Sequence, residues 1–545
     1  MRQTQRKVQA QREGLSRRDC LKAGVAGGIG LTGLSQLGAG VRDAMAQDSK
    51  PKTGGTLVVR SGPIRGIDPH FETWGATLQI VHQAYNGLVK FTPDGTTIVP
   101  DLAERWQQTD NVTYVFQLRK GVRFHNVPPV NGRELTSEDV KYSIERQMTD
   151  QPGKFQHAYF FLGKLASIDT PDKYTVVFKT QEPYAPFMNY IANPWTVIVA
   201  REVVEKYGDL QKHAIGTGPF IMKDYRRDQE ATFVKNPHYF KQGLPYLDEV
   251  RIQYIIDPAA ATAAFRGQQT DISAALEFAD IDSIKASNPG VRIEQILSMF
   301  PVVLRTQPYD EQRPLKPPFT DKRVRQAIQA AVKPEEYIQI SRGGWGVPMV
   351  GPIPPNRTPW ALPETDRPEY NPQKAKQLLA EAGYPNGFVV ELIVGSPGDN
   401  VKNAQIVKDQ LAKVGITVNV KPMEMAQYYN KSYAYDYAMS VHTMLSGEEP
   451  EESLRPYFGA NATYYRWGNK EIHRLIDEQA KILDQAKRVE MIHKIQRMLL
   501  EDAPQMFLYT SIYHVGVQPW VQNYTVPINA YDQRYEAIWV DRKRS

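Results

Sequence analysis

At 545 residues the chain is too long for one ordinary hydrophobic core, so two or more domains are expected. Apolar residues at 41% and charged residues at 23% are the proportions of a folded globular protein, and they exclude a disordered or collagen-like chain. The formal charge of +6 comes from 66 Lys and Arg against 60 Asp and Glu, and most of it sits in the first forty-six residues.

Those residues read as an address. Ser16-Arg17-Arg18-Asp19-Cys20-Leu21-Lys22 resembles the twin-arginine export motif, with Cys20 where that motif carries Phe. A weakly apolar, Gly- and Ala-rich stretch from Ala23 to Gly40 follows. Ala44-Met45-Ala46 is then a small-residue cleavage pattern, which predicts Gln47 as the first mature residue. The alternative is an N-terminal membrane anchor. Gly24, Gly27, Gly28 and Gly30, with Ser35 and Gln36, make the stretch a poor span. Cleavage at Ala46 leaves 58 Lys and Arg against 57 Asp and Glu. A nearly neutral body gives no reason to expect nucleic acid or an anionic membrane as partner. The single cysteine, Cys20, leaves with the signal, so the mature chain has no thiol for a disulfide, a metal or catalysis.

Along the mature chain, Thr56 to Arg60 reads as a strand and Thr77 to Tyr85 as a helix. Tyr114, Phe116 and Leu118 alternate. Lys120-Gly121 is read as a turn, with Val122 and Phe124 as the second arm of a hairpin. Thr136 caps a helix with Asp139 three residues on, and Val140, Ile144 and Met148 recur on its inner face. Strands follow around Tyr174 to Phe178 and Leu247 to Ile256, then a helix from Pro258 to Arg266. Beyond the proline-rich connector Gln307 to Pro318, a helix capped by Thr320 carries the stripe Val324, Ala327, Ile328, Ala331. Asn371-Pro372 starts another helix and Gly383 ends it. A strand at Val389 to Val394, a helix from Asn403 to Val414 and a strand from Ile416 make a βαβ unit. Helices at 469–484 and 486–501 complete two α/β regions that divide near the connector.

Chemistry is mostly excluded. There is no phosphate loop, no His-Glu-x-x-His and no Gly-x-Ser-x-Gly. Gly28-Ile29-Gly30-Leu31-Thr32-Gly33 lies inside the signal with no strand before it, so it is not a dinucleotide site. The histidines lack ligand spacing, so neither catalytic residues, a metal nor a cofactor is expected. Glu448, Glu449, Glu451 and Glu452 are expected to form a solvated acidic loop, with cation or amine binding as the other reading.

Several segments together resemble one family. They are Gly54-Gly55-Thr56-Leu57 with Ile67-Asp68-Pro69-His70, Ala84 to Val89, and Pro100 to Trp106. Arg119 to His125 with Ser137-Glu138-Asp139-Val140, Gly216 to Phe220 and Asn236 to Phe240 continue the set. Pro318 to Ile328 and Leu378 to Tyr384 complete it. The ordered set is similar to the extracellular solute-binding proteins of oligopeptide, dipeptide and nickel ABC importers. The resemblance implies an α/β, two-lobed, type II-like periplasmic binding protein with a hinge. Lobe I would be 47–307 plus 516–545, with an inserted subdomain at about 90–204, and lobe II 308–515. It implies a monomer, not an enzyme, that captures a small molecule or short peptide between the lobes and delivers it to membrane permease subunits.

The resemblance also points to ligand-facing residues. The loop after Asp68-Pro69 places Thr73, Trp74 and Gly75 at the cleft, with ordinary core packing as the other reading of Trp74. An aspartate that holds a peptide's amino group in relatives falls on Ser446 here, beside His442, Thr443 and Met444. Its loss argues against free-amine peptides. Trp195, Arg305 and Trp467 are further candidates. Arg305 would meet a ligand carboxylate or else form a surface salt bridge, and Trp195 and Trp467 would otherwise be core. His442 is a hydrogen-bonding wall or, less simply, a metal ligand. Two other functions stay open: the same scaffold holding an opine, oligosaccharide or metal chelate, and an exported cofactor-dependent enzyme.

Overall fold

The computed structural model describes residues 50–545 except 63, 65, 73, 74, 149–156, 158, 159, 397, 528–532 and 543–545. The export motif and the Ala46 cleavage site lie outside the described residues. Leu57, Val58 and Val59 are all buried, as a strand covered on both faces requires. That strand, Thr56–Ser61, runs parallel to Glu249–Tyr254 on one side and to Ile272–Leu276 on the other. Glu249–Tyr254 pairs antiparallel with Glu230–Lys235, which pairs with Phe220–Arg226.

A second set of strands is built around Val302–Thr306, antiparallel to Met439–Thr443. The strand Val389–Ser396 lies parallel to Met439–Thr443 and to Thr417–Glu424, which forms the sheet's edge. The long strand Gln505–Val517 joins the sets. Its first half pairs with Val302–Thr306 and its second half with Ile272–Leu276 and Arg292–Leu297. Between Leu297 and Val302 the chain crosses from one set to the other. Ser298 binds the long strand there, its amide donating to Ser511 O at 2.8 Å and its carbonyl accepting from Thr510 Oγ1 at 2.6 Å. A separate antiparallel sheet of Ala103–Gln108, Thr113–Leu118, Thr175–Thr180 and Leu165–Asp172 shares its apolar core with the first set. The second set has its own core on one face and another beneath the three helices Pro450–Phe458, Lys470–Gln479 and Gln485–Asp502.

Motif residues that the sequence makes conspicuous tie distant segments together. Asp68 accepts from Arg146 and from the amides of His70 and Leu210, and the Arg146 guanidinium together with these hydrogen bonds outweighs burial, holding its carboxyl below the usual range. Asn86 donates to Asp101 at 2.9 Å and accepts from Thr217 at 3.1 Å. His125 contacts Gly218 O through Nε2 at 3.0 Å. Gly216 and Gly218 are glycines because backbone passes against them: an added Cβ at Gly218 would lie 2.4 Å from Gln83 O, and one at Gly216 2.3 Å from Ala84 O.

Most element assignments hold, with instructive differences. Thr136 and Asp139 form a capping box on the helix Ser137–Gln147. Asn371 caps the helix Pro372–Glu381 by accepting from Lys374 N, and the parallel pairing of Val389–Ser396 with Thr417–Glu424 fits the βαβ unit. The hairpin at Lys120-Gly121 does not form. Thr113–Leu118 pairs with Ala103–Gln108 and Thr175–Thr180 instead, while Val122 and Phe124 turn into the core. Alternation reports burial on one face, and a loop pinned to a core alternates as well as a strand does. Asp321 rather than Thr320 caps the helix Lys322–Ala331, and the helix expected from Asn403 begins at Asp399.

The glutamate group is not a solvated loop. Glu449, Glu451 and Glu452 are buried at and just after the N-cap of the helix Pro450–Phe458. Glu449 pairs with the buried Arg488 and accepts from Asn189 Nδ2 at 2.6 Å. Glu451 pairs with Arg455 and accepts from Tyr184 at 3.3 Å and Tyr190 at 3.4 Å. Glu448 pairs with Arg357 at 2.8 Å. Glu452 accepts from Asn193 Nδ2 at 2.9 Å, and among the described residues it has no cation of its own and its Oε2 has no partner. Burial, then the charges of Glu449 and Glu448, push its carboxyl well above the usual range. Sequence counts charges but not partners: two arginines distant in the chain, Arg357 and Arg488, and one a helical turn away, Arg455, answer three of these four carboxylates.

Three variants test this packing. Glu452 keeps its proton in the folded state to a higher pH than in the unfolded chain, so it lowers stability as pH rises above the ordinary carboxylate range. Glu452→Gln should therefore match the wild type near pH 5 and gain melting temperature relative to it at pH 8, whereas Glu449→Gln, which strands Arg488, should cost about 3–5 kcal/mol in urea unfolding. Gly218→Ala should cost about 1–3 kcal/mol in the same measurement, because its new methyl meets backbone that cannot move aside.

Candidate functional site

Parallel strands deliver their carboxyl ends to one edge of a sheet, where the loops that follow enclose a crevice. Here Val389–Ser396 and Met439–Thr443 end together, and a cavity of about 250 Å³ opens at that edge beside the Ser298–Pro301 crossing. Gly395 closes the first strand, and Gly398, Asp399 and Asn400 lead into the helix Asp399–Ala412. His442 and Thr443 come from the second strand, and Phe300 and Val302 from the crossing. Tyr509, Ser511 and Tyr513 contribute one face of the long strand, two residues apart as a strand requires. Met425, Tyr428 and Tyr429 form the remaining wall, from the helix Met425–Tyr433.

The cavity sets tyrosine rings among polar side chains, those of Arg342, Asp399, Asn400, His442, Thr443 and Ser511. Arg342 pairs with Asp399 at 2.9 Å and stands 5.2 Å from the Tyr513 ring centroid. Tyr428 donates to Val441 O at 2.7 Å and lies 3.2 Å from Ser440 Oγ. His442 Nδ1 lies 2.5 Å from Thr443 O, while Nε2 has no partner. Burial, and secondarily the Arg305 guanidinium, hold the His442 imidazole neutral far below its ordinary pKa. Nδ1 therefore donates to the carbonyl and Nε2 presents a lone pair. Among the described residues no group of three or more His, Cys, Asp or Glu is placed to hold a metal ion. Flat rings, one paired guanidinium and an imidazole acceptor suit the holding of a small polar molecule.

Of the residues singled out from sequence, His442 and Thr443 line this cavity. Met444 lies behind it in the core, with Gln505 Nε2 3.6 Å from its sulfur. Ser446 is fully buried, its hydroxyl 2.6 Å from that of Ser453, so it presents nothing to the cavity. Trp195 is core, stacked on His157 at 5.2 Å between ring centroids. Trp467 is also core, donating to Asp502 at 3.0 Å with Arg325 over its ring. Arg305 is no surface cation; it is fully buried and forms no ion pair among the described residues. Gly75 opens a short turn with free space where a Cβ would stand, and Thr73 and Trp74 lie outside the described residues. Sequence reasoning passed over Arg342, Asp399 and the tyrosine walls. The alternation Tyr509, Ser511, Tyr513 and the pair Tyr428, Tyr429 carried a signal, namely rings placed on a face that ends at a loop.

Residues 97–465 match the family described as bacterial extracellular solute-binding proteins, family 5 Middle. A di/tripeptide-binding protein 2 of Pseudomonas aeruginosa is 28% identical over 89% of this chain and 95% of its own length. Heme-binding protein A of Haemophilus influenzae is 29% identical over 85% of this chain and 87% of its own. Among solved structures, the ABC transporter-associated periplasmic binding protein DppA of Helicobacter pylori in complex with the peptide STSA superposes with a TM-score of 0.78 at 26% identity. It covers 90% of this chain and 99% of that one. The binding protein AgaA of A. tumefaciens R10 in complex with agropinic acid gives a TM-score of 0.76 at 27% identity, with 90% and 99% covered. With two strand sets joined through one shared strand and a cavity beside their crossing, the chain belongs to the bacterial extracellular solute-binding proteins of family 5 and has their two-lobed α/β fold.

Proposed function

We propose that the protein is the periplasmic solute-binding component of an ABC importer, which closes over a peptide or peptide-like solute and passes it unchanged to the membrane permease. The observation that carries this reading is the aromatic cavity of about 250 Å³ at the strand ends, beside the crossing between the two strand sets. A clamp of this kind needs solute to favour one of two arrangements of its halves. The peptide-bound relatives support the class of ligand. On this reading residues 1–46 are a signal removed after twin-arginine export. Lobe I is 47–307 plus 516–545, and lobe II is 308–515. Strand pairing supports moving the crossings a few residues earlier, to 298–301 and about 512. Thr73, Trp74 and Gly75 would meet the solute from lobe I. The protein would act as a monomer, with no nucleic acid.

A second reading has its own observation. Ser446 is locked to Ser453, and Glu448, Glu449 and Glu451 are each spent on an arginine, so no free carboxylate replaces the amine anchor expected of a peptide receptor. Glu452 is buried and held protonated. This favours a solute without a free ammonium group, of the kind represented by agropinic acid in the A. tumefaciens relative.

Thermal-shift screening of di- and tripeptides, opines, sugars and nickel chelates should raise the melting temperature with at least one class, since a ligand of the folded form stabilises it. The solute should be recovered by mass spectrometry with its mass unchanged; conversion to product would refute the transport reading. Tyr429→Ala should weaken that solute by about 1–3 kcal/mol in calorimetry with little loss of stability. Trp467→Ala should do the reverse, costing about 3–5 kcal/mol of stability while affinity per folded molecule holds.

A further inference from the structure

Arg305 sits in the middle of the strand Val302–Thr306, opposite Ser440 on one side and Gln505 on the other. It is fully buried, and among the described residues Nη1 donates to Tyr464 O at 3.0 Å while the Tyr437 hydroxyl stands beside the guanidinium as a further polar contact. Nε and Nη2 make no close hydrogen bond among those residues. Its neighbours are neutral rings: Tyr457 and Tyr465 stand with their centroids 5.6 and 5.4 Å from the guanidinium carbon. A guanidinium does not lose its proton in a protein, so this is a permanent charge without an anion, which is costly to bury. The buried arginines near the acidic helix, Arg357 and Arg488, each have a carboxylate; this one does not.

The charge lies directly behind the solute cavity. Ser440, the register neighbour of Arg305, touches the Tyr428 hydroxyl at 3.2 Å, and Tyr428 lines the cavity. His442, two residues along the same strand face, lines it too. Arg342, the cation at the far wall, is already answered by Asp399. The floor beneath Tyr428 and His442 is therefore electropositive, and two further buried polar atoms around it lack partners among the described residues: His442 Nε2 and Gln505 Oε1. A field of this kind in a low-dielectric floor acts on whatever enters above it.

We propose that the solute carries a carboxylate seated at the His442–Tyr428 end of the cavity, and that Arg305 is the residue that selects for it. The inference rests on reading the cavity as the solute site. Arg305 acts through the floor: the anion supplies the charge the strand lacks, and a neutral analogue leaves the guanidinium unanswered. The carboxylate of a peptide and that of an opine present the same chemistry here.

The test uses the full mature protein and two pairs of probes in calorimetry: the dipeptide Met-Leu with its C-terminal amide, and agropinic acid with its methyl ester. Native mass spectrometry of solute carried through purification accompanies it. The acid of one pair should bind at least tenfold more tightly than its neutral partner, and which pair responds tells peptide from opine. Arg305→Gln should collapse that ratio toward one while leaving the neutral partner's affinity within about threefold. Arg305→Lys should retain part of it. Equal binding of acid and neutral partner by the wild type overturns the inference even where Arg305→Gln fails to fold, as does an unchanged ratio in a folded Arg305→Gln. In both cases the solute-binding reading survives. A protein that carries no solute and binds none of the four probes overturns both.

Discussion

Everything in this fold depends on one strand being shared. Gln505–Val517 gives its first half to one set of strands and its second half to the other. The short Ser298–Pro301 crossing runs alongside it, stitched to Ser511 and Thr510 by two hydrogen bonds, and Gly346–Pro348 pairs with its residues 509–511. Backbone pairing on this one strand fixes the register of both sets against each other. The cavity forms beside this junction because the two parallel strands of the second set end there, and the residues flanking the crossing, Phe300 and Val302, become part of its wall. A small change at the junction is thus a change in the shape of the cavity, which is the coupling a capture-and-release protein needs.

Buried charge is the second organising element. The helix Pro450–Phe458 brings four carboxylates together and meets them with Arg357, Arg455 and Arg488 and with polar side chains at Tyr184, Asn189, Tyr190 and Asn193. The residue left over, Glu452, lies so close beneath Gly447 that a Cβ there would fall 1.2 Å from its Oε2. Acidic clusters on a surface repel and are screened by salt. This one is internal, with three of its four carboxylates paired to arginines, and it joins a segment of residues 184–193 to one of residues 449–452.

Much of the architecture was legible in the sequence because local rules govern it. Caps at Asn371 and Thr136–Asp139, a stop at Gly383, and the apolar stripe of Lys322–Ala331 all depend on near neighbours and came out within a residue or two. The hairpin at Lys120-Gly121 failed because pairing partners are chosen by tertiary packing, which alternation does not encode. The site was less legible. His442 and Thr443 could be placed by family spacing, but Trp195 and Trp467 attract attention as large rings and turn out to be core, where most tryptophans belong. The resemblance put the loss of an anchor at Ser446. That its hydroxyl is consumed by Ser453, and that Arg305 meets no anion among the described residues, are facts about spatial partners, and only coordinates supply them.

The edge of the second strand set has a further effect on how copies of the molecule behave toward one another. Thr417–Glu424 has one side of its backbone unpaired, and an open strand of eight residues is a template for another chain. Here Lys421 and Glu424 place charge along it, Pro422 withholds an amide hydrogen, and all three are exposed. A second copy approaching this rim meets a missing donor and two solvated charges, which disfavours ribbon-like pairing of edge to edge.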